Sequence, residues 1–270
     1  AAGLILATEL PLAANARRRH PVSSAVGPAL TLIGRSMALE AANHRRLVLE
    51  LLAAEDSATD LDRVLAMQRR DFDRYVVPEL VEDHLSATAR RDDALSVVQL
   101  VGELAAAEKR LELAARLAPI GLAVWGDAGW EAVPGLDYRG SARHTVDLNR
   151  IYSSSVVNVD LSRIYQEDIV TMRVFDVLAC GGFVLAPHNA QLESLFNVGT
   201  ELDSYRSLDE LYDKCRFYLR NRAKAERIGR LGRSRVLRDH TVRHRVKTML
   251  ASVSRDSRSH SIRPLTSEWR

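Results

Sequence analysis

The sequence predicts an α/β protein: a Rossmann-like parallel sheet preceded by a mainly helical region. Three observations carry that expectation. After residue 118, short apolar runs bounded by Gly, Asp or Pro recur along the chain. Amphipathic stretches of helix length separate these runs, as βαβ units require. Before residue 118, the composition leans to Ala, Leu, Glu and Arg, which favour helices. The expected division is a helical region over 1–117, an α/β domain over 118–250 and a polar tail over 251–270.

In the first region, LTLIGRSMALEAANHRRLVLELLAAE reads as one helix built from good helix formers. A second begins near an N-cap at Thr59 or Asp60 and runs through DLDRVLAMQRRDFDRYVV, with Pro78 as a kink or break. A third begins at Asp92 or Asp93, and Leu95, Val98, Val101, Ala105 and Leu111 place one apolar stripe along it. His44 and His84 stand alone, without partners at catalytic or metal spacing, so this half reads as packing.

At Pro119 the texture changes. IGLAVWGD is a buried-strand run ending in a Gly–Asp turn, and LDYRG and SVVNVDL follow as strands around the helix-like HTVDLNRIYS. The helix IVTMRVFDVLAC is closed by Gly181 and Gly182, and FVLAP continues as a strand. ELDSY is a further short strand, and SLDELYDKCRFYLRN a helix capped by Ser207.

The 270 residues are 46% apolar and 27% charged, a balance that excludes global disorder. No stretch approaches the ~20 apolar residues of a membrane-spanning helix. The opening AAGLILATELPLAANARRR is interrupted by Glu9 and Pro11 and makes a poor signal peptide. Lacking an initiator Met, the sequence reads as starting inside a longer protein. Two cysteines, Cys180 and Cys215, give neither a disulfide framework nor a metal cluster, so reduced thiols and a cytoplasmic location are expected. Between Arg216 and Lys247, twelve Lys/Arg stand against two acids, Glu226 and Asp239. Such a strip suits phosphates, an anionic membrane surface or nucleic acid, or is a solvated face on two surface helices. No nucleic-acid motif accompanies it, and nucleic acid is not an expected partner.

In an open parallel sheet, ligands bind beyond the carboxyl ends of the strands, where helix N-termini offer free N–H groups to phosphate. The loops expected there are Gly126–Trp130, Asp160–Ile169 and Pro187–Leu192. Arg173 and Asp176, three residues apart on one helix, could serve a pyrophosphate and a ribose diol. Trp125 and Trp130 flank a turn and could border a base, with core packing the expected role of Trp125. His240 reads as a helix-start residue.

The string MRVFDVLACGGFVLAPHNAQLESLFNVGTELDSYRSLDELYDKCRFYLRN resembles the C-terminal lobe of GT-B glycosyltransferases, in particular the CgeB-like, family-1-like group. That group carries R-x-F-E-x-L-A-x-G, a strand, an acidic residue before an L-F pair, then G-x-E. RDHTVRHRVKTML resembles its H-T-x-x-x-R close, and VWGDAGW and YRGSA its first two strand-and-turn units. The resemblance spans about Pro119 to Leu250 and implies that 118–250 is a nucleotide-sugar-binding domain. It implies transfer of a sugar from a nucleoside-diphosphate sugar to a hydroxyl acceptor, with no cofactor beyond that donor substrate and no metal ligands. By position in the motif, Asp176 would contact the donor ribose, with Asp where the group has Glu. Asp168 and Asp176 have the separation of the two acids in related retaining enzymes, which implies a catalytic place for Asp168 near the donor sugar. Arg173 would contact the diphosphate. Gly126, Asp127, Gly182, Asn189, Gln191 and Glu193 complete the donor-binding set. Residues 1–117 do not read as a second Rossmann lobe, so a partner domain or chain is expected to complete the enzyme; the alternative is a nucleotide-sugar-binding or assembly module without turnover.

Overall fold

The computed structural model describes residues 10–23, 27–52, 56–72, 74–85, 94–144 and 146–259. Six strands make one sheet: β1 (Leu30–Ile33), β2 (Leu122–Trp125), β3 (Asp137–Tyr138), β4 (Val157–Val159), β5 (Val184–Pro187) and β6 (Asp203–Tyr205). All pairings are parallel, in the order β3-β2-β1-β4-β5-β6. This is the Rossmann-like arrangement expected of a GT-B lobe, with its topological switch point between β1 and β4.

The central strand was not expected. LTLI, read from composition as the start of a helix, is β1, with Leu30 opposite both Leu122 and Val157. Leu30, Thr31 and Leu32 are buried, because helices cover both faces of the sheet. Thr31 is satisfied there by donating through Oγ1 to Asn158 Oδ1 at 3.0 Å. A boundary at 117/118 therefore cuts the sheet at its middle strand.

Among the described residues, four helices fill the crossover from β1 to β2: α1 (Ala38–Leu52), α2 (Ser57–Arg69), α3 (Val77–His84) and α4 (Ala94–Leu117). The expected second helix is two, because α2 stops at Arg69 and Pro78 sits in the first turn of α3, where its missing N–H costs nothing. Thr59 and Asp60 lie inside α2, and the expected start at Asp92 or Asp93 lies outside the described residues. α4 serves two cores. Its first half packs Val97, Val101, Leu104 and Ala105 against α1–α3, and its second half sets Leu113, Ala114 and Leu117 on the sheet.

α8 (Leu208–Arg220) joins α4 on that face, with Ser207 accepting from the Glu210 N–H as its N-cap. The opposite face carries α5 (Asp147–Ser154), α6 (Met172–Ala179) and α7 (Ala190–Leu195), and α9 (Arg222–Asp239) joins the two, with Ala225 and Ile228 in the first core and Val236 in the second. α6 ends in a Schellman motif: Gly181 adopts φ 76°, its N–H reaches Leu178 O, and the Gly182 N–H reaches Val177 O. α10 (Val242–Ser259) continues well past Ala251, so the expected tail is helical over 251–259. The amino-terminal segment is strapped to the α9–α10 junction, where Ala14 exchanges backbone hydrogen bonds with His240 and Val242.

Candidate functional site

The carboxyl ends of β1, β2 and β4 are tied by a small set of polar contacts. Gly34 donates its N–H to Trp125 O at 2.9 Å and accepts from Trp130 Nε1 at 2.8 Å. A Cβ on Gly126 would lie 2.0 Å from Gly34 O, so only glycine allows this approach. Asp127 fastens the β1 and β2 loops together: it accepts from the N–H groups of Ser36 and Gly129, both at 2.9 Å, and from Ser36 Oγ. Met37, just before α1, holds φ at 66°, a conformation that non-glycine residues adopt rarely and mostly where surrounding contacts enforce it.

Between β1 and β4, at the switch point, a cleft of about 640 Å³ opens, lined among others by Arg35, Glu40, Glu103, Arg110, Arg163 and Arg173. Arg173 reaches it from the first turn of α6 and Arg110 from α4. Arg173 is ion-paired with Asp160, which is almost wholly buried and also accepts from Thr171 Oγ1 at 2.8 Å. Tyr205 donates its hydroxyl to the Asp160 carbonyl at 2.8 Å and pins that loop to β6.

Arg110 is 7% exposed, and its hydrogen bonds go to backbone carbonyls, Arg35 O at 3.3 Å and Leu161 O at 3.4 Å. Its Nε has no hydrogen-bond partner among the described residues. Burial first, then the neighbouring Arg173, pulls its pKa down to about 10, and Asp160 offsets this only in part. It remains a cation at neutral pH. Burial also acts against the Arg173 guanidinium, but Asp160, Tyr152 and Tyr205 more than restore it, and its pKa is raised. Two buried guanidiniums thus share one buried carboxylate, while Arg35 and Arg163 are matched by Glu40 and Glu103, which leaves Arg110 as the uncompensated cation. The cleft holds an excess of positive charge, which is what an anion site needs.

Of the residues expected from sequence, Arg173 lines the cleft, and Gly126 and Asp127 hold the β2 loop against the β1 loop beside it without lining it. Asp176, one turn along α6, does not line the cleft. Its carboxylate accepts from buried Arg19 Nε at 2.9 Å, and Arg19 also donates to His144 O at 2.7 Å. Arg173 and Asp176, expected on one binding face, reach different partners, Asp160 and Arg19, and only Arg173 lines the cleft. Gly182 lies at the amino end of β5, on the opposite edge of the sheet; a Cβ there would meet Tyr152 O at 2.4 Å, so packing explains it. Asn189 caps α7 by accepting from the Leu192 N–H at 2.7 Å, Gln191 accepts from the Val170 N–H at 2.8 Å, and exposed Glu193 lies 3.3 Å from His188. These three order the β5 loop and are not among the cleft residues. Asp168 is exposed on the β4–α6 loop, which also carries Arg163 to the cleft.

The tryptophans exchange roles. Trp130 is the fully buried one, and Trp125 is half-buried with the Arg139 guanidinium 5.5 Å above its ring. His240 follows α9 as its C-cap rather than starting a helix. Cys180 and Cys215 are both buried free thiols, with burial raising the Cys180 pKa to about 12. The cations of the basic strip mostly face solvent along α8–α10. Among the described residues, no helix is long and apolar enough to cross a membrane, and no cluster of metal-ligating side chains occurs.

Arg110 and Glu40 escaped the sequence reading because they sit in helices whose pattern says packing. The available signal was Arg110 itself, in line at helical spacing with Ala106, Leu113, Ala114 and Leu117, a stripe otherwise apolar.

A glycosyl transferase-like family model matches residues 104–251, from within α4 to α10. The chain belongs to this glycosyl transferase-like family. Among solved structures, it is similar to the sucrose-phosphate synthase from Thermosynechococcus elongatus at 19% identity and a TM-score of 0.46; the match covers 56% of this chain and 42% of that one. No curated protein matches the chain. The family match starts after β1, so it leaves out the strand on one side of the transferase-like lobe's switch point.

Proposed function

We propose that this chain is the donor-binding lobe of a glycosyltransferase, with the diphosphate of a nucleoside-diphosphate sugar held in the switch-point cleft. The observation that carries the proposal is the excess cation at Arg110 and Arg173 around Asp160. In the transfer, the bond between the anomeric carbon and the diphosphate oxygen breaks and a bond from that carbon to the acceptor oxygen forms. The acceptor hydroxyl gives up its proton, which leaves to solvent, and negative charge accumulates on the leaving diphosphate. Guanidiniums fixed in place before the reaction stabilise that charge with little reorganisation. In this reading Asp168 serves the reacting sugar from the β4–α6 loop, and the acceptor arrives from a partner domain or chain. The finer assignment to the CgeB-like group rests on the sequence motifs alone.

Asp176 favours a second reading, a nucleotide-sugar-binding module without turnover, because the acid expected at the ribose is tied to Arg19. Calorimetry with UDP, GDP and dTDP and with their glycosyl conjugates tests the shared part: micromolar binding of at least one nucleotide is expected. A folded protein that binds none of them would sink both readings. Release of free nucleotide from the bound conjugate, with a panel of hydroxyl acceptors, separates enzyme from module.

A further inference from the structure

Two charged side chains that line the cleft each carry a buried polar atom without a hydrogen-bond partner among the described residues: Arg110 Nε and Glu40 Oε2. One is a donor and the other an acceptor, and each belongs to a charged group. Leaving such atoms unpaired is costly, and a ligand whose arrival turns the two side chains to face it recovers that cost. The ligand they ask for has an anionic oxygen for Nε and a hydrogen-bond donor for Oε2. A phosphate meets the first demand and cannot meet the second, since a carboxylate repels it. A sugar hydroxyl meets the second.

The Glu40 Oε1 is ion-paired with Arg35, and the Glu40 side chain is a third exposed. Glu103, on α4, is held in the same cleft by Tyr165 Oη at 2.5 Å and Arg163 Nη1 at 3.3 Å, and His44 stands one turn beyond Glu40 on α1. Both acids come from the helices inserted between β1 and β2, whereas Arg173 and Asp160 come from the sheet side.

We propose that α1 and α4 form the sugar subsite of the cleft, with the Glu40 carboxylate accepting a hydrogen bond from a hydroxyl of the donor's glycosyl group and Glu103 and His44 flanking it. The inference rests on the donor-binding reading above. It assigns the choice of sugar to the helical insertion and the binding of diphosphate to Arg110 and Arg173.

Binding of UDP, GDP and dTDP is compared with that of UDP-glucose, UDP-N-acetylglucosamine, GDP-mannose and dTDP-glucose, for the wild type, Glu40→Gln and Glu40→Ala. The wild type is expected to bind at least one conjugate about tenfold more tightly than its parent nucleotide. Both variants are expected to lose most of that ratio while parent-nucleotide affinity stays within about threefold. A ratio that survives in a folded Glu40 variant overturns the subsite and leaves the donor reading standing, as does a wild type that prefers no conjugate. Failure of every nucleotide to bind removes the donor reading and the subsite together. Glu40→Gln preserves shape, so the ratio can be read even where Glu40→Ala unfolds; Glu103→Gln, measured in parallel, should lower the ratio by a smaller factor.

Discussion

α6 carries two buried Arg–Asp contacts one helical turn apart, and they are opposites. At its first turn, Arg173 meets Asp160 beside a second guanidinium, Arg110, and the group opens on a cleft. One turn on, Asp176 meets Arg19 alone, charges balanced, with both side chains about nine-tenths buried and Arg19 completed by the His144 carbonyl. The second contact is finished and the first is not. A buried ion pair is therefore poor evidence of a binding site by itself; unmatched charge next to open volume is the better sign.

The widest separation of the two comes from breaking the closed pair. Asp176→Ala leaves Arg19 buried without its carboxylate and should lower unfolding free energy by about 3–5 kcal/mol in urea titrations. Nucleotide affinity of the folded fraction should stay within about threefold. A large affinity loss with little change in stability would return Asp176 to the ribose. Next in size is Arg110→Met, which removes the unmatched cation and keeps the bulk. Calorimetry should show nucleotide binding weaker by about 10- to 100-fold, in line with about 1.5–3 kcal/mol for a hydrogen bond to a charged group. Urea titration of the same variant should show stability unchanged or raised, the reverse of Asp176→Ala.

The smallest effect probes the closed half by pH. His240 packs against Phe175 and Phe196, donates from Nε2 to Leu195 O at 3.0 Å and accepts at Nδ1 from Arg245. Burial, with Arg245 and Arg235 adding to it, holds its pKa below 6.5, although the Leu195 contact acts the other way. A folded pKa below the unfolded one means that the unfolded chain binds more protons as pH falls through about 6.5, so this contribution is lost toward acid. Melting temperature between about pH 7.5 and pH 5.5 should fall more steeply for the wild type than for His240→Gln. Parallel slopes would show that His240 is not the group responsible.

Much of the sheet was legible. β2, β4 and β5 are apolar runs closed by turn residues, and the glycine pair after α6 announced both a helix end and the next strand. β1 was not, because four residues are too few to show a period and the Ala- and Leu-rich run after them outweighs them. α10 was hidden by its Arg and Ser content, since its apolar residues, Val242, Val246, Met249 and Leu250, remain exposed. At the site, Arg173 was legible through its motif, but its partner Asp160 was seen only as the start of a loop. Arg110 could not be placed without knowing that β1 lies beside β4, because only that neighbourhood turns a helix stripe into one wall of a cleft.

The late arrival of the strands that flank β1 has a consequence for how the chain assembles. Leu30 must find Leu122 and Val157, so the middle of the sheet depends on contacts spanning about a hundred residues, whereas the helical core of α1–α4 closes within the intervening stretch. Long-range pairing of this kind is slow, and local helices form first. A nascent chain emerging amino end first holds an exposed apolar LTLI until the helical crossover has shortened the search. The insertion that walls the cleft in the finished protein is also the tether that brings β1 to β2.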